Sequence, residues 1–212
     1  MKASNECYRN NKDIFDWFIF YDLDEFIHLE NNINIKSYLG QKHFEKCNVI
    51  YLNHVIHTDN NEIYYRNKSL FERFPQLENF TNINYSYVPR RILVDITKII
   101  LWGNLSNIFI GSPHVLNVKN ACNGFGKKIN HTGLRSKNPD HNKYYFDHFY
   151  FKSAEEYLKK LTKGDAIFGP ARGFNIYWFQ IYFAFNKITN EKLDFFENKT
   201  GTNLSIFRNK II

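Results

Sequence analysis

Asp22, Asp24 and Glu25 close an aromatic and aliphatic run that starts after Asp16 and ends at Tyr21. A run of that richness reads as a buried strand. Burying a carboxylate is costly unless a positive group pairs with it. Within a strand, side chains at i and i+2 point to the same side, so Asp22 and Asp24 would converge. Two convergent carboxylates suit a hard divalent cation, Mg²⁺ or Mn²⁺, with open positions left for phosphate oxygens. The bland alternative is a polar turn after a core strand. Phe26-Ile27-His28-Leu29 restores apolar character at once, which favours buried acids over a solvated turn.

Further polar residues sit inside apolar surroundings. One set is Ser112-Pro113-His114; another is Asp147-His148, followed by Phe149-Tyr150-Phe151-Lys152-Ser153. A histidine ahead of a helix start can ligate a metal or touch a phosphate, helped by unpaired backbone N–H groups. Its ordinary role would be a core or cap histidine satisfied by backbone. Lys152 could neutralise a diphosphate leaving group, or be a solvated surface lysine. Arg73, between Glu72 and Phe74, could hold a substrate phosphate or a buried carboxylate. An Arg–Glu structural pair is the simpler use of it.

These residues need elements to position them. Strands are expected over residues 15–21 and 47–53, the latter β-branched and apolar. Residues 98–102 and 108–110 look like a strand pair turning at Gly103-Asn104, and residues 112–118 like another strand. Residues 33–39 read as a short helix, and residues 69–74 as a short extended or helical piece halted by Pro75. Ser153 and Glu156 form a capping box that predicts a helix over residues 153–163. Tyr157, Leu158 and Leu161 share one of its faces, and Gly164 is placed to end it. Residues 175–188 form a strongly aromatic last helix. Residues 1–14 are a polar segment, the first 13 loose; residues 15–212 make one domain.

The chain has 212 residues, enough for a real core, and a net charge of +7. Phosphate-bearing partners and anionic membrane surfaces are both compatible with that charge. Single-stranded nucleic acid is a rival partner, because basic residues among aromatics can grip a strand. Against it, the basic residues are scattered, and the densest cluster (Lys127, Lys128, Arg135, Lys137) is short. No nucleic-acid partner is expected. No apolar run approaches the roughly 20 residues of a membrane span, and the first residues lack a signal-peptide core. Cys7, Cys47 and Cys122 are widely spread without a Cys-x-x-Cys, so burial or a reducing compartment explains them.

Four blocks, in order, resemble glycosyltransferase family 92 and its family-2-like relatives. They are Asp16-Trp17 through Asp22-Leu-Asp24-Glu25-Phe26, then Leu70-Phe-Glu-Arg73-Phe74, then Lys98-Ile-Ile with Pro113-His114. The last is His148-Phe-Tyr-Phe-Lys152-Ser153-x-Glu155-Glu156-Tyr157, running on to Lys163-Gly164. The resemblance implies an α/β, Rossmann-related GT-A fold, a mixed sheet with flanking helices. It covers the C-terminal part of such a domain, without the N-terminal nucleotide-binding units. It implies inverting transfer of a sugar from a nucleotide-sugar donor, UDP-sugar favoured, to a glycan acceptor, with Mn²⁺ or Mg²⁺. Asp22, Asp24 and His148 would hold the metal, with Asp22, Asp24, Lys152 and Arg73 at the diphosphate. Glu25 would orient the strand end or meet the acceptor, His114 would lie on the acceptor side, and Glu72 or Asp147 would be the base. Tyr51-Leu52-Asn53-His54 stands where the family carries a Trp and a Phe-Gly pair, so the acceptor side is expected to differ. The family role would put the protein in a membrane-associated secretory compartment or at a cytoplasmic face. The alternative function is a GT-A-derived, inactive fragment that binds a carbohydrate or a partner.

Overall fold

The computed structural model describes residues 2–77, 96–130, 141–163, 176–209 and 211. It is mixed α/β and divides into two compact units. The first unit takes Met1–Val55 with Leu93–His148; the second takes Ile56–Ile92 with Phe149–Ile212. Gly164, Asn175, Arg135 and Lys137, singled out above, lie outside the described residues.

The first unit is built on one mixed sheet. Its elements are α1 (Lys2–Asn11), β1 (Trp17–Ile19), β2 (Glu25–Leu29), α2 (Ile35–Leu39) and β3 (Val49–Ile56). β4 (Thr97–Trp102), β5 (Ala121–Asn123) and β6 (Tyr144–His148) follow. The order across the sheet is β1-β4-β3-β6-β2, with β5 also paired to β3. β1 and β3 both run antiparallel to β4, and β2 runs antiparallel to β6. The β3–β5 pair is parallel.

Alternation along the strands separates two cores. Val49, Tyr51, Ile99 and Leu101 pack with Phe18, Tyr8 and Ile110. Ile50, Leu52 and Ile100 pack with Tyr38, Phe44 and Phe146. Both faces of β3 and β4 are therefore buried, which is why their sequences read as continuous apolar runs rather than alternating ones.

Several expectations change. The polar first segment is not loose but forms α1. Asn5 exchanges two hydrogen bonds with the backbone of Ile110, at 2.9 and 2.8 Å. The Tyr8 hydroxyl donates to the Gly103 carbonyl at 2.5 Å. A side chain at Gly103 would place its Cβ 2.0 Å from the Phe15 carbonyl oxygen, so the close approach there requires glycine. Residues 108–110 and 112–118 are not strands; β4 finds its partners in β1 and β3 instead. The Pro113 carbonyl still accepts from Ile99 N–H at 3.1 Å, fixing the later segment beside β4.

The cysteine reading holds only in part: Cys47 and Cys122 are buried, but they are also bonded to each other. Cys47 and Cys122 form a disulfide across 75 residues, with Cα atoms 5.8 Å apart, and Cys7 is free and exposed. Both bonded cysteines belong to the core under β3. Their spacing carries no local signal, because the pairing depends on β3 and β5 becoming neighbours.

The second unit contains α3 (Leu70–Arg73), α4 (Ala154–Lys163), α5 (Ile176–Phe185), α6 (Asn190–Thr200) and α7 (Ser205–Arg208). The capping box of α4 is present: Ser153 Oγ accepts from Glu156 N–H at 3.3 Å, and Glu156 accepts from Ser153 N–H at 3.4 Å. Ser69 and Glu72 form a second capping box at α3. The core is aromatic, with Tyr157 stacked on Tyr182 and Phe179 packed edge-on against Phe183, Phe196 and Phe207. Ion pairs are buried within it. Arg73 binds Glu62 at 3.1 Å and Glu156 at 2.5 Å, and Lys192 binds Asp59 at 2.5 Å. Among the described residues, no helix is long and apolar enough to cross a membrane.

Candidate metal centre

On one face of the first unit's sheet, four strands change from apolar to polar at the same end. Ile27 gives way to Glu25 on β2, Leu52 to His54 on β3, Ile100 to Lys98 on β4, and Phe146 to His148 on β6. The register makes them neighbours: Glu25 lies opposite His148, and Leu52 opposite Lys98. The period of two along each strand keeps all four side chains on the face of the core that contains Ile50, Ile100 and Phe146.

Lys98 neutralises Glu25. Its Nζ lies 2.7 Å from Oε2 and 2.9 Å from Oε1, and both side chains are 1% exposed. It also reaches Asp22 Oδ2 at 3.2 Å. Glu25 Oε2 accepts the Asp22 N–H at 2.9 Å, and Glu25 N–H donates to the Asp22 carbonyl at 3.1 Å. Glu25 thus shapes the turn that presents Asp22 and Asp24. Burial raises the Glu25 pKa, and Lys98 opposes that rise.

The histidines meet behind this pair. His54 Nε2 lies 3.4 Å from Glu25 Oε1, and His148 Nε2 4.0 Å from the same oxygen. The two rings also touch through their Nδ1 atoms at 3.2 Å. That contact needs one N–H and one lone pair. With both rings neutral, the donating ring has a bare Nε2, and the accepting ring carries its proton on Nε2. His54 Nε2 is buried and has no hydrogen-bond partner among the described residues. Burial drives the His54 pKa well down, with His148, Lys98 and His114 adding to the effect. His114 Nδ1 donates to the Thr97 carbonyl at 2.8 Å, its ring centre 5.8 Å from that of His54. Burial, then Lys98, lowers its pKa as well.

Glu25, His54 and His148 could hold a metal ion: one ligand atom from each lies within 4.8 Å of the others. Two imidazole nitrogens and a carboxylate oxygen make a mixed donor set, suited to a borderline cation. The Asp pair offers only oxygen, which suits a harder one.

Other residues singled out from sequence are distributed as follows. Asp22 and Asp24 sit in the connection between β1 and β2, not on a strand, because β1 ends at Ile19. The Asp22 side chain is 72% exposed and Asp24 is half-buried. Asp147 alternates to the opposite face of β6 from His148 and lies 3.8 Å from His28 Nδ1. Glu72, Arg73 and Lys152 belong to the second unit. There Glu72 is exposed and caps α3, Arg73 is held by Glu62 and Glu156, and Lys152 adopts a positive φ of 56°. His54 and Lys98 were not identified as site residues from sequence. Their signal was a histidine and a lysine inside otherwise apolar strands, where a polar group must find partners. No protein-family model matches the chain, and no curated protein matches it either.

Proposed function

We propose that the chain carries the donor site of a metal-dependent glycosyltransferase of GT-A type, moving a sugar from a nucleotide-sugar to a glycan acceptor. One observation carries the reading. Three of the four blocks that resemble that family, far apart in sequence, meet at one end of one sheet face. The first supplies Asp22 and Glu25, the next Lys98 and His114, and the last His148.

The chemistry fits what such a donor needs. Asp22 and Asp24, on an accessible turn, supply oxygen ligands for Mn²⁺ or Mg²⁺. The bound cation would neutralise the diphosphate leaving group. Lys98 and Glu25 hold the turn through the Asp22 side chain and backbone, so the ligands are positioned before donor arrives.

The test is isothermal titration of the chain with UDP, with and without Mn²⁺, beside an Asp22→Ala/Asp24→Ala variant. Mn²⁺-dependent UDP binding that the double variant loses is the expected result. A folded wild-type chain that binds no UDP with Mn²⁺ overturns the reading. The cluster would then be a structural ion-pair network in a carbohydrate- or partner-binding fragment.

A further inference from the structure

We infer that Glu25, His54 and His148 form a second, buried metal centre, selective for a borderline transition dication such as Zn²⁺ and separate from the Asp22/Asp24 turn. Two independent observations point to it. The first is convergence: three ligand-type side chains from β2, β3 and β6 offer atoms within 4.8 Å of one another, all buried. The second is the state of His54. Its Nε2 is buried, lacks a hydrogen-bond partner among the described residues, and lies 3.4 Å from Glu25 Oε1. A buried polar atom left unsatisfied costs about 1–3 kcal/mol, a cost that coordination would remove.

The spacing suits the ion. Donors at roughly 2.0–2.2 Å from a tetrahedral Zn²⁺ lie about 3.4 Å apart. The His54–Glu25 separation already has that value, and the 4.0 Å between His148 Nε2 and Glu25 Oε1 needs only a small side-chain adjustment. Coordination through both Nε2 atoms puts both ring protons on Nδ1. Two protonated Nδ1 atoms repel, so the present Nδ1 contact at 3.2 Å must then open. Nitrogen donors disfavour Mg²⁺ and Ca²⁺. Lys98 beside Glu25 makes weakly bound cations compete poorly, while Asp22 offsets part of its charge.

This centre goes beyond the donor-site reading, and the two can fail separately. The experiment titrates chelator-treated protein with Co²⁺, following its visible ligand-field bands, and then with Zn²⁺ as competitor. Wild type, His54→Ala, His148→Gln and Asp22→Asn/Asp24→Asn are compared, with circular dichroism confirming the fold of each. The expected result is stoichiometric Co²⁺ with a tetrahedral spectrum in wild type and in the Asp variant. Either His variant should weaken binding by more than about a hundredfold, beyond the range typical for losing an outer-shell partner. Co²⁺ binding that survives both His variants, or that is lost only in the Asp variant, overturns the centre and leaves the donor site standing. No Co²⁺ or Zn²⁺ binding by folded wild type overturns it as well. Mn²⁺-dependent UDP binding in His54→Ala then reports on the donor site alone.

Discussion

His54 carries a cost that depends on acidity. Burial and the neighbouring His148, Lys98 and His114 hold its pKa well below the ordinary 6.5. Between that lowered value and 6.5, the unfolded chain binds a proton that the folded chain excludes. Stability is therefore full above about pH 6.5 and falls as acid is added, by up to about 1.4 kcal/mol per pH unit for each such group. His114 adds a loss of the same sign. Glu25 acts the other way, because a raised carboxyl pKa gives stability below its unfolded value that is lost as pH rises. Urea denaturation of chelator-treated protein on either side of pH 6.5 measures the balance. Stability should drop toward acid in wild type, and the drop should be smaller in His54→Gln. An unchanged slope in the variant would place the titration elsewhere. At this scale the sequence pointed to Asp22, Glu25 and His148 through their contrast with apolar neighbours. His54 and Lys98 show the same contrast, each a polar residue in an apolar strand, but a lone polar residue does not say which other strands hold its partners.

At the scale of elements, legibility follows the range of the interaction that makes each element. α4 was readable because its start depends on residues three apart. Ser153 Oγ donates to Glu156 at 2.7 Å and accepts from the Glu156 N–H at 3.3 Å. Replacing Ser153 with Ala removes the cap and should cost about 1 kcal/mol, read as a lower urea midpoint with an unchanged slope. Glu156 also holds Arg73, so its carboxylate keeps that partner when the Ser153 hydroxyl is removed. β3 and β4 were readable too, as apolar runs. Their neighbours were not: β4 looked ready to turn back on residues 108–110, but pairs instead with strands more than forty residues earlier in the chain. α1 was missed because its polar sequence has no apolar stripe. Two anchors, Asn5 and Tyr8, hold it to backbone about a hundred residues away.

Across the whole molecule, composition and pattern were enough for a mixed α/β chain, but not for its division into two units or for its covalent cross-link. The Cys47–Cys122 bond closes a loop of 75 residues, which stabilises by about 4 kcal/mol through the unfolded state alone. Reduction should lower the urea midpoint accordingly. A thiol assay on denatured, unreduced protein should find the Cys7 thiol alone reactive; three reactive thiols would mean the bond does not form. A bond of this kind persists in oxidising surroundings, so redox conditions during purification decide whether stability measurements describe the cross-linked chain.

The same cross-link changes what continuity means for this fold. The first unit is assembled from Met1–Val55 and Leu93–His148, and Ile56–Ile92 departs between them into the second unit. Cys47 stands on one side of that departure and Cys122 on the other. The two parts of the sheet are therefore joined twice, once along the peptide and once through sulfur. A break in the excursion would sever one tether and leave the other, so the strands bearing Glu25, His54, Lys98 and His148 would still belong to one covalent particle.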